Sequence, residues 1–492
     1  MADGWRSSVR QLPKPAIWCL RSRRMRVWLS AILLSSLLSA SAINARAEVA
    51  AALPPAIREN IDQIARQILS ETGVPSASIA VVREGQTAYL QTYGNARLEP
   101  LTPASREMRY DIGSISKQFT AAALLMLAGD GKLLLDDPVA SFLPGLTDAN
   151  RVTLRQLLSH TSGYRDYWPQ DYVPRRILEP VSGQEILDGW ARGPLDFAPG
   201  TKWEYSNTNY VIAGMIVEKI SGLSLFDFLR LRIFQPLKMT SAYDTNSAPL
   251  QRTDAQGFRR FALGPLRPAP KEGKGWLFGA GGLAMSAADL ARWDISLMNE
   301  SLMKMESYRE METPARLTSG EPTAYGLGVA ISNSGQHLVL QHGGEVSGFT
   351  AENIVLPKDR LAVVVLTNQD ATTAASRIGQ RIAALLLQPA AAPGSSKEQQ
   401  MRAIFRELQR GKIDRSLFTA NANAYFDSQT LADYASSLGP LGEPQSFILA
   451  QTENRGGMVY RSFRVLLAEK NLLVSTYELP DGKIEQYMVT AQ

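Results

Sequence analysis

The spacing of apolar residues changes along the chain, and each spacing predicts one type of element. Apolar positions in residues 56–70 fall on one face of a helix. Residues 76–82 and 86–93 alternate apolar and polar side chains, which is typical of two strands joined by a turn. A largely apolar run at residues 119–128 predicts a buried helix that begins close to Ser114. Further helices are predicted over residues 153–160, 182–191, 208–220, 223–234 and 290–298.

Strand-like runs follow the helical part of the chain. They cover residues 326–332, 337–341, 351–356 and 360–367, and a last helix is predicted over 374–387. This order predicts an α+β fold: an antiparallel sheet flanked by the terminal helices, with an all-α lobe inserted. We expect a pocket between the sheet edge and that lobe. Residues 244–276, rich in Pro, Gly and charge, are expected to form a long surface excursion.

A change of composition divides the chain after residue 388. Residues 389–396 predict a linker, because they are almost all Pro, Ala, Gly and Ser. Residues 397–492 predict a separate small α+β domain with helices and four strands, and no catalytic group of residues stands out in it. We expect this domain to pack or to bind an unidentified partner. The main domain is expected over residues 48–388.

The first 47 residues predict an export signal. Four arginines at residues 21–26 precede an apolar segment, 27–38, that is too short to span a membrane comfortably. Ala45-Arg46-Ala47 is a small-x-small cleavage site, and Met25 is an alternative start. A cleaved signal implies a periplasmic or secreted protein without a stable membrane span; the alternative is an uncleaved anchor helix.

Charge and composition narrow the functional classes. Without residues 1–47 the chain has 44 basic and 46 acidic residues, so nothing in its charge favours nucleic acid. The only cysteine, Cys19, lies within the signal, and there are three histidines in the whole chain. We therefore expect no disulfide, no cysteine nucleophile, no metal site and no cofactor.

Ser114-x-x-Lys117 at the start of the buried helix is the first candidate catalytic motif. Positions three apart share a helix face, so the amine of Lys117 can lie beside the hydroxyl of Ser114. A serine becomes nucleophilic when a neighbouring base takes its proton. The alternative is that Ser114 is an ordinary N-cap, since the same spacing recurs at Ser301 and Lys304.

Two further motifs follow. In Tyr205-Ser-Asn207, a nearby lysine would lower the pKa of Tyr205, which could then shuttle protons, while Asn207 could bind a substrate amide or Lys117. In His342-Gly-Gly344, glycines on a strand edge let a substrate approach, and the N–H groups of Glu345 and Ser114 could form an oxyanion hole.

We expect different roles for two of the histidines. A partly charged His342 could hold a substrate carboxylate or keep the neighbouring tyrosine ionised; the alternative is a core histidine. His160 is expected to be structural. The residues that follow it, Tyr164, Arg165 and Tyr167, are expected to line the pocket.

Taken together, these motifs resemble the serine β-lactamase and penicillin-binding-protein superfamily over roughly residues 50–388. The resemblance is to the class C-like branch of D-alanyl-D-alanine carboxypeptidases, class C β-lactamases and related esterases. The matching stretches are Ser114-x-x-Lys117, Leu157-Leu-Ser-His-Thr-Ser-Gly163, Ala198-Pro-Gly-Thr-Lys-Trp-Glu-Tyr-Ser-Asn-Thr-Asn-Tyr210, which contains Tyr205-Ser-Asn207, Gly281-Gly-Leu-Ala-Met-Ser286 and His342-Gly-Gly344. The resemblance implies a β-lactamase-like fold.

The same resemblance implies roles for the site residues. Ser114 would form an acyl-enzyme, Lys117 and Tyr205 would share the acid–base work, and Asn207 would bind the substrate amide. The N–H groups of Ser114 and Glu345 would form the oxyanion hole. The third motif departs from the Lys-Thr-Gly of β-lactamases, because Gly343 lacks the hydroxyl that commonly binds a substrate carboxylate.

We therefore expect an exported serine hydrolase that acts on a small ester, amide or peptide, as an esterase or a D-Ala-D-Ala carboxypeptidase does. The alternatives are a class C-like β-lactamase and a non-catalytic relative that binds a cell-wall ligand. The C-terminal domain resembles a cystatin-like or nuclear-transport-factor-like α+β roll.

Overall fold

A computed structural model describes residues 53–168, 175–387, 396–467 and 470–491. The predicted signal segment and all but the last residue of the predicted linker lie outside these ranges. The chain divides into two compact units, Met1–Ala383 and Ala384–Gln492. In the described ranges no helix is long and apolar enough to cross a membrane.

Ten helices are described up to residue 387. They are α1 (Pro55–Thr72), α2 (Ser116–Gly129), α3 (Leu154–Leu158), α4 (Gly183–Ile186), α5 (Asn207–Ser221), α6 (Leu225–Leu229), α7 (Phe278–Gly281), α8 (Ala287–Met298), α9 (Met305–Glu312) and α10 (Ala374–Leu387). Short 3-10 turns cover Gly113–Ile115, Val139–Ser141 and Arg175–Leu178, and π-helical turns cover Leu187–Ala191 and Arg230–Phe234.

The strands of the first unit form three sheets. They are β1 (Ser76–Arg83), β2 (Gln86–Leu98), β3 (Leu101–Pro103), β4 (Tyr110–Asp111), β5 (Tyr243–Asp244), β6 (Phe258–Arg260), β7 (Leu266–Pro268), β8 (Leu283–Met285), β9 (Ala330–Ser334), β10 (His337–Val346), β11 (Phe349–Leu356) and β12 (Leu361–Thr367). The main sheet is antiparallel, with the order β3-β2-β1-β12-β11-β10-β9, and the smaller sheets are β4-β8-β5 and β6-β7.

The middle of the main sheet is the most apolar part of it. Strands β11 and β12 are buried along their whole lengths, as is β1 except for its last residue. Both faces of the middle strands are therefore covered, which explains why they read as apolar runs. Helices α1 and α10, joined by an ion pair between Arg377 and Glu71, cover the sheet, and the helical lobe lies between β3 and β9 in the chain. The predicted α+β architecture is confirmed.

Local signals fixed several helix ends as expected. Thr153 caps α3 and Ser182 caps α4, each in a capping box with the residue three positions later. Strand β9 begins at Ala330 rather than at residue 326. The reason is Gly328, which has a φ of +83° and no room for a Cβ, because the carbonyl oxygen of Lys117 would lie 2.9 Å from it.

The expectation that residues 244–276 form a surface excursion agrees with most of the segment, which is exposed or half-buried, but several of its residues are buried. Phe258, Trp276 and the carboxylates of Asp254 and Glu272 are buried. These carboxylates bind neighbouring groups: Glu272 accepts a hydrogen bond of 2.8 Å from the backbone N–H of Ser347. Asp254 and Glu272 thus satisfy backbone groups instead of facing water.

Strand β10 carries the third motif and ends beside the start of α2. Its pairing with β9 runs only from His337↔Ser334 to Gln341↔Ala330, whereas its pairing with β11 continues to Val346↔Phe349. The edge that follows Gln341 is therefore not covered by β9. His342, Gly343 and Gly344 all lie on this uncovered edge.

A buried polar network ties α2 to the sheet and to α8. Asn353 on β11 donates to Asp294 at 2.9 Å, and Gln118 donates to Asn353 at 2.9 Å. The indole N–H of Trp293 donates to Gln118 at 2.8 Å. All four side chains are buried, so each polar group depends on the others for its hydrogen bonds.

The second unit is a four-stranded antiparallel sheet with helices. It contains α11 (Ser396–Leu408), α12 (Ala420–Tyr425), α13 (Ser428–Leu438), β13 (Ser446–Arg455), β14 (Met458–Leu466), β15 (Asn471–Glu478) and β16 (Ile484–Ala491). The strands follow one another in the order of the sequence. Its own core includes Phe405, Phe418, Phe426 and Phe463, which agrees with the predicted small α+β domain.

Asn353→Ala tests the network. We expect it to lower the free energy of unfolding of the first unit by about 2–4 kcal/mol, because Asp294 and Gln118 lose a buried partner. Urea unfolding followed by tryptophan fluorescence measures this unit alone, since no tryptophan lies beyond residue 293. The exposed Asn333 on β9 provides the control: Asn333→Ala should cost less than about 0.5 kcal/mol. Equal effects of the two substitutions would contradict the structure.

Candidate active site

The structure brings Ser114 and Lys117 together as their spacing predicts. Ser114 lies in the 3-10 turn that leads into α2, and Lys117 lies in the first turn of that helix. The Nζ of Lys117 is 3.0 Å from the Oγ of Ser114. Ser114 is partly exposed, whereas Lys117 is completely buried.

Lys117 has three neighbours with oxygen atoms. Besides the Ser114 hydroxyl, its Nζ lies 2.7 Å from the Oδ1 of Asn207 and 2.7 Å from the carbonyl oxygen of Ala280 in α7. Burial lowers the pKa of Lys117 to about 7, against a partial increase from the charge of Asp166. The amide and carbonyl oxygens can only accept hydrogen bonds, so a neutral amine donates to both and accepts from the hydroxyl of Ser114.

Tyr205 lies against both residues. Its ring centroid is 4.9 Å from the Nζ of Lys117, and its phenol interacts with the hydroxyl of Ser114. The expectation of a lowered pKa is wrong: burial raises the pKa of Tyr205 well above its usual value. The desolvation of a tyrosinate and the nearby charge of Asp166 raise this pKa, and the hydrogen bond with Ser114 lowers it only in part. Tyr205 is therefore a neutral phenol that can donate a proton.

Asp166 is a residue that sequence reasoning missed. Its Oδ1 accepts hydrogen bonds from the backbone N–H of Asn207 at 2.9 Å and from the Nδ2 of Asn207 at 3.2 Å. Because the carboxylate can only accept, it fixes the amide so that Oδ1 points to Lys117. The sequence motifs pointed to its neighbours Arg165 and Tyr167 as pocket residues and not to Asp166. Only the fold shows that Asp166 faces Asn207, which is 41 residues away in the chain.

His342 lies on β10 and lines the cleft, but it is not the charged group that was expected. Burial and the nearby Lys117 lower the pKa of His342 to about 4, so the ring is neutral at neutral pH. Its Nδ1 lies 2.6 Å from the carbonyl oxygen of Gly343, and its Nε2 lies 2.8 Å from the hydroxyl of Tyr325. Nδ1 therefore donates and Nε2 accepts, and neither nitrogen is left to hold a substrate carboxylate.

The turn at Ser114 and the end of β10 touch backbone to backbone. A Cβ on Gly344 would lie 1.9 Å from the carbonyl oxygen of Ile112, and one on Gly113 would lie 2.6 Å from the N atom of Glu345. Only glycines permit this approach. It brings the N–H of Glu345 beside the Ser114 turn, while the Oε1 of Glu345 accepts a hydrogen bond from the N–H of Ala371 at 2.8 Å.

A cleft of about 530 Å³ opens over these groups. Its walls include all the site residues predicted from sequence except the buried Lys117, and they also include Tyr167. Tyr164 and Arg165 are not among its lining residues, contrary to expectation: the hydroxyl of Tyr164 donates to the carbonyl of Thr147, and Arg165 pairs with Asp196 at the surface. The described residues contain no cluster of three His, Cys, Asp or Glu side chains that could hold a metal ion.

His160 has the structural role that was expected. It is completely buried, and its Nδ1 accepts a hydrogen bond of 3.1 Å from the backbone N–H of Ser206. Its ring packs on that of Tyr205 with 4.3 Å between centroids. His160 thus supports the segment that places Tyr205 and Asn207 in the cleft.

Comparison with known proteins agrees with this geometry. The sequence model of the Beta-lactamase family matches residues 61–388. The chain belongs to the beta-lactamase family. This match covers the described part of the chain from α1 to α10 and includes every residue of the cleft.

The chain is also similar to curated relatives. It is 29% identical over 320 residues to a D-aminopeptidase of Brucella canis, in an alignment that covers 64% of this chain and 60% of the relative. It is 29% identical over 322 residues to penicillin-binding protein 4* of Bacillus subtilis, covering 62% of this chain and 71% of that protein. The chain thus spans only about three fifths of the length of the D-aminopeptidases that it matches.

Solved structures show the same fold. A D-stereospecific amidohydrolase from Streptomyces sp. matches 67% of this chain and 99% of its own, with a TM-score of 0.58 and 26% identity. An octameric penicillin-binding protein homologue from Pyrococcus abyssi matches 88% of this chain and 99% of its own, with a TM-score of 0.58 and 22% identity. At 22% identity, the match to the Pyrococcus abyssi structure shows a common fold and nothing more.

Gly344→Ala tests the contact between the turn and β10. We expect it to destabilise the first unit by roughly 2–4 kcal/mol, because its Cβ would overlap the backbone of Ile112. Gly343→Ala is the matched control: its Cβ would have its nearest neighbour at 3.7 Å, which is ordinary contact. Urea unfolding followed by tryptophan fluorescence compares the two, and equal losses would refute the contact.

Proposed function

We propose that this protein is a serine hydrolase that forms an acyl-enzyme at Ser114 and acts on small amides or esters of amino acids. The observation that carries the proposal is the 3.0 Å contact between Ser114 and a buried lysine whose pKa is lowered to about 7. A lysine that is neutral near physiological pH can act as a general base, which an exposed lysine cannot do.

The acylation step follows from the hydrogen bonds of Lys117. Its amine takes the proton of the Ser114 hydroxyl as Oγ attacks the substrate carbonyl carbon. The negative charge that develops on the carbonyl oxygen is stabilised by the N–H groups of Ser114 and Glu345, which lie on either side of the contact between the turn and β10. Asn207, fixed by Asp166, holds Lys117 and offers its amide to the substrate.

The attack produces a tetrahedral intermediate. When this intermediate breaks down, the leaving amine needs a proton. Tyr205 is a neutral phenol in contact with Ser114, so it donates its proton to the leaving nitrogen as the C–N bond breaks. The Lys117 ammonium then returns a proton to the tyrosine. In the second half of the reaction, Lys117 takes a proton from water, the water attacks the ester, and Ser114 leaves and recovers its proton.

The relatives favour amides of D-amino acids as substrates. They are called D-aminopeptidase and D-stereospecific amidohydrolase, and a D-amino acid amidase from Ochrobactrum anthropi SV3 shares the fold, with a TM-score of 0.59 and 24% identity. The neutral His342 and the glycine at position 343 leave this part of the cleft without a cation or a hydroxyl for a substrate carboxylate. Both features favour an amidase or esterase over a class C-like β-lactamase.

We also propose that residues 1–47 direct export of the protein to the periplasm or the medium. The support is the sequence itself: four arginines, a short apolar segment and a small-x-small cleavage site. A role in binding an unidentified partner remains our proposal for the second unit.

Covalent labelling of the nucleophile tests the function. We expect intact-protein mass spectrometry after treatment with a fluorophosphonate to show one phosphonyl group on the wild type, added as fluoride leaves, and none on Ser114→Ala. We also expect hydrolysis of D-alanine p-nitroanilide to fall by about 10³-fold or more in Ser114→Ala. Labelling at another serine, or equal hydrolysis by the two proteins, would overturn the proposal. A wild type that binds the anilide without labelling or turnover would favour a binding protein.

Tyr205→Phe separates amide from ester chemistry. A leaving amine must be protonated, whereas p-nitrophenolate leaves as an anion. We expect kcat/KM for D-alanine p-nitroanilide to fall by about 10²-fold or more, and that for the p-nitrophenyl ester to fall by less than about tenfold. Steady-state kinetics on the two compounds measures this difference. The same loss on both would show that Tyr205 does not protonate the leaving group.

A further inference from the structure

We propose that Glu352 makes the leaving-group side of the cleft a binding site for a positively charged group. The protein would then prefer amides whose leaving amine carries an ammonium over those whose leaving amine carries a carboxylate. This inference rests on the proposed function and adds to it the charge of the leaving group.

Glu352 is a buried carboxylate that faces the cleft. It lies on β11 directly opposite Gly343 of β10, it is 6% exposed, and it is one of the lining residues of the cleft. Within the described ranges no hydrogen bond or ion pair to its carboxylate is present. A buried carboxylate without a partner is costly, and a bound cation would remove that cost.

Gly343 leaves this carboxylate accessible from β10. A Cβ built on Gly343 would lie 3.7 Å from the Oε2 of Glu352, so any larger side chain would extend over the carboxylate. On the other side, Gly379 of α10 packs closely on the glutamate stem, since its Cβ would lie only 3.0 Å from the Cγ of Glu352. The stem of Glu352 is thus held against α10, and its carboxylate is open on the side of Gly343.

The position of Glu352 points to the leaving group. A second cavity of about 590 Å³ adjoins the cleft, and the residues that line both are Tyr205, His342, Gly343 and Glu352. Tyr205 is the proton donor to the leaving amine, so this shared wall lies on the side where the amine departs. Asn207 lines the cleft but not the second cavity.

The other charged groups of the cleft already have partners. Arg259 lies 3.8 Å from Asp370, which also accepts a hydrogen bond from the N–H of Gly348. Asp166 binds Asn207, and Glu345 binds the N–H of Ala371. The ionised form of Glu352 therefore repels a substrate carboxylate and attracts an ammonium, which has no other free carboxylate to compete for it among these groups. Burial raises the pKa of Glu352 to about 7, which a bound cation would lower.

Three amides with the same acyl group test the proposal. They are the D-alanine amide of ethylenediamine, with a cationic leaving amine; D-alanyl-D-alaninamide, which is neutral; and D-alanyl-D-alanine, which carries a carboxylate. We expect kcat/KM of the wild type to fall in this order, by about tenfold or more from the first to the last. Glu352→Gln should reduce that range to within about threefold, mainly through KM.

Glu321→Gln is the matched control, because Glu321 is an exposed carboxylate that lines the second cavity but not the cleft. It should leave the order intact. A wild type without this order, or a Glu352→Gln protein that keeps it, would overturn the inference while the proposed hydrolysis stands.

A wild type that hydrolyses none of the three and is not labelled at Ser114 would instead refute the proposed function. Calorimetric binding of the same amides to Ser114→Ala and to Ser114→Ala/Glu352→Gln then decides the inference. The cationic amide should bind more tightly than the carboxylate only where Glu352 is present, and equal binding would overturn it.

Discussion

The burial of one amine organises this protein. Lys117 is held among a serine hydroxyl, an amide oxygen and a main-chain carbonyl, each contributed by a different element. An ammonium in this position has lost its hydration, and only partial compensation comes from Asp166. The neutral form is therefore accessible near physiological pH, and this makes Ser114 a potential nucleophile.

Much of the fold can be understood as support for that arrangement. Helix α2 is buried on all sides, because α5, α6, α7 and α9 pack against it. The polar network through Gln118 and Asn353 fixes the helix to β11, and the glycines of β10 let the sheet edge touch the turn before α2. Asp166 completes the arrangement, since it determines which atom of Asn207 faces the lysine.

The sequence was sufficient to predict the architecture, because hydrophobic periodicity and turn residues act locally. The set of short motifs was sufficient to predict which residues form the site. It was insufficient for their electrostatics. Tyr205 and His342 were expected to be ionised or partly charged, and both are neutral because burial disfavours their charged forms. Depth of burial depends on the whole fold, and so does the pairing of Asp166 with Asn207 or the burial of Glu272 in a segment that looked exposed.

The cleft combines residues typical of the family with residues that set the charge of this particular cleft. Ser114, Lys117 and Tyr205 are the proposed nucleophile, base and acid, whereas a neutral histidine, a glycine and the acidic Glu352 line the side where we propose that the leaving group departs. A cleft of this kind fits substrates without a carboxylate near the scissile bond. Under the proposed function, a few side chains around one strand edge would direct the same acyl-enzyme chemistry to different amides.

The most direct test of this account is the pH dependence of the reaction of Ser114 with a fluorophosphonate, measured from pH 5 to pH 9. A neutral Lys117 is required, and burial lowers the pKa of that amine to about 7. The rate should therefore rise about tenfold per pH unit below pH 7 and level off above it. A rate that does not change with pH, or one that keeps rising toward the usual pKa of lysine, would contradict the central claim.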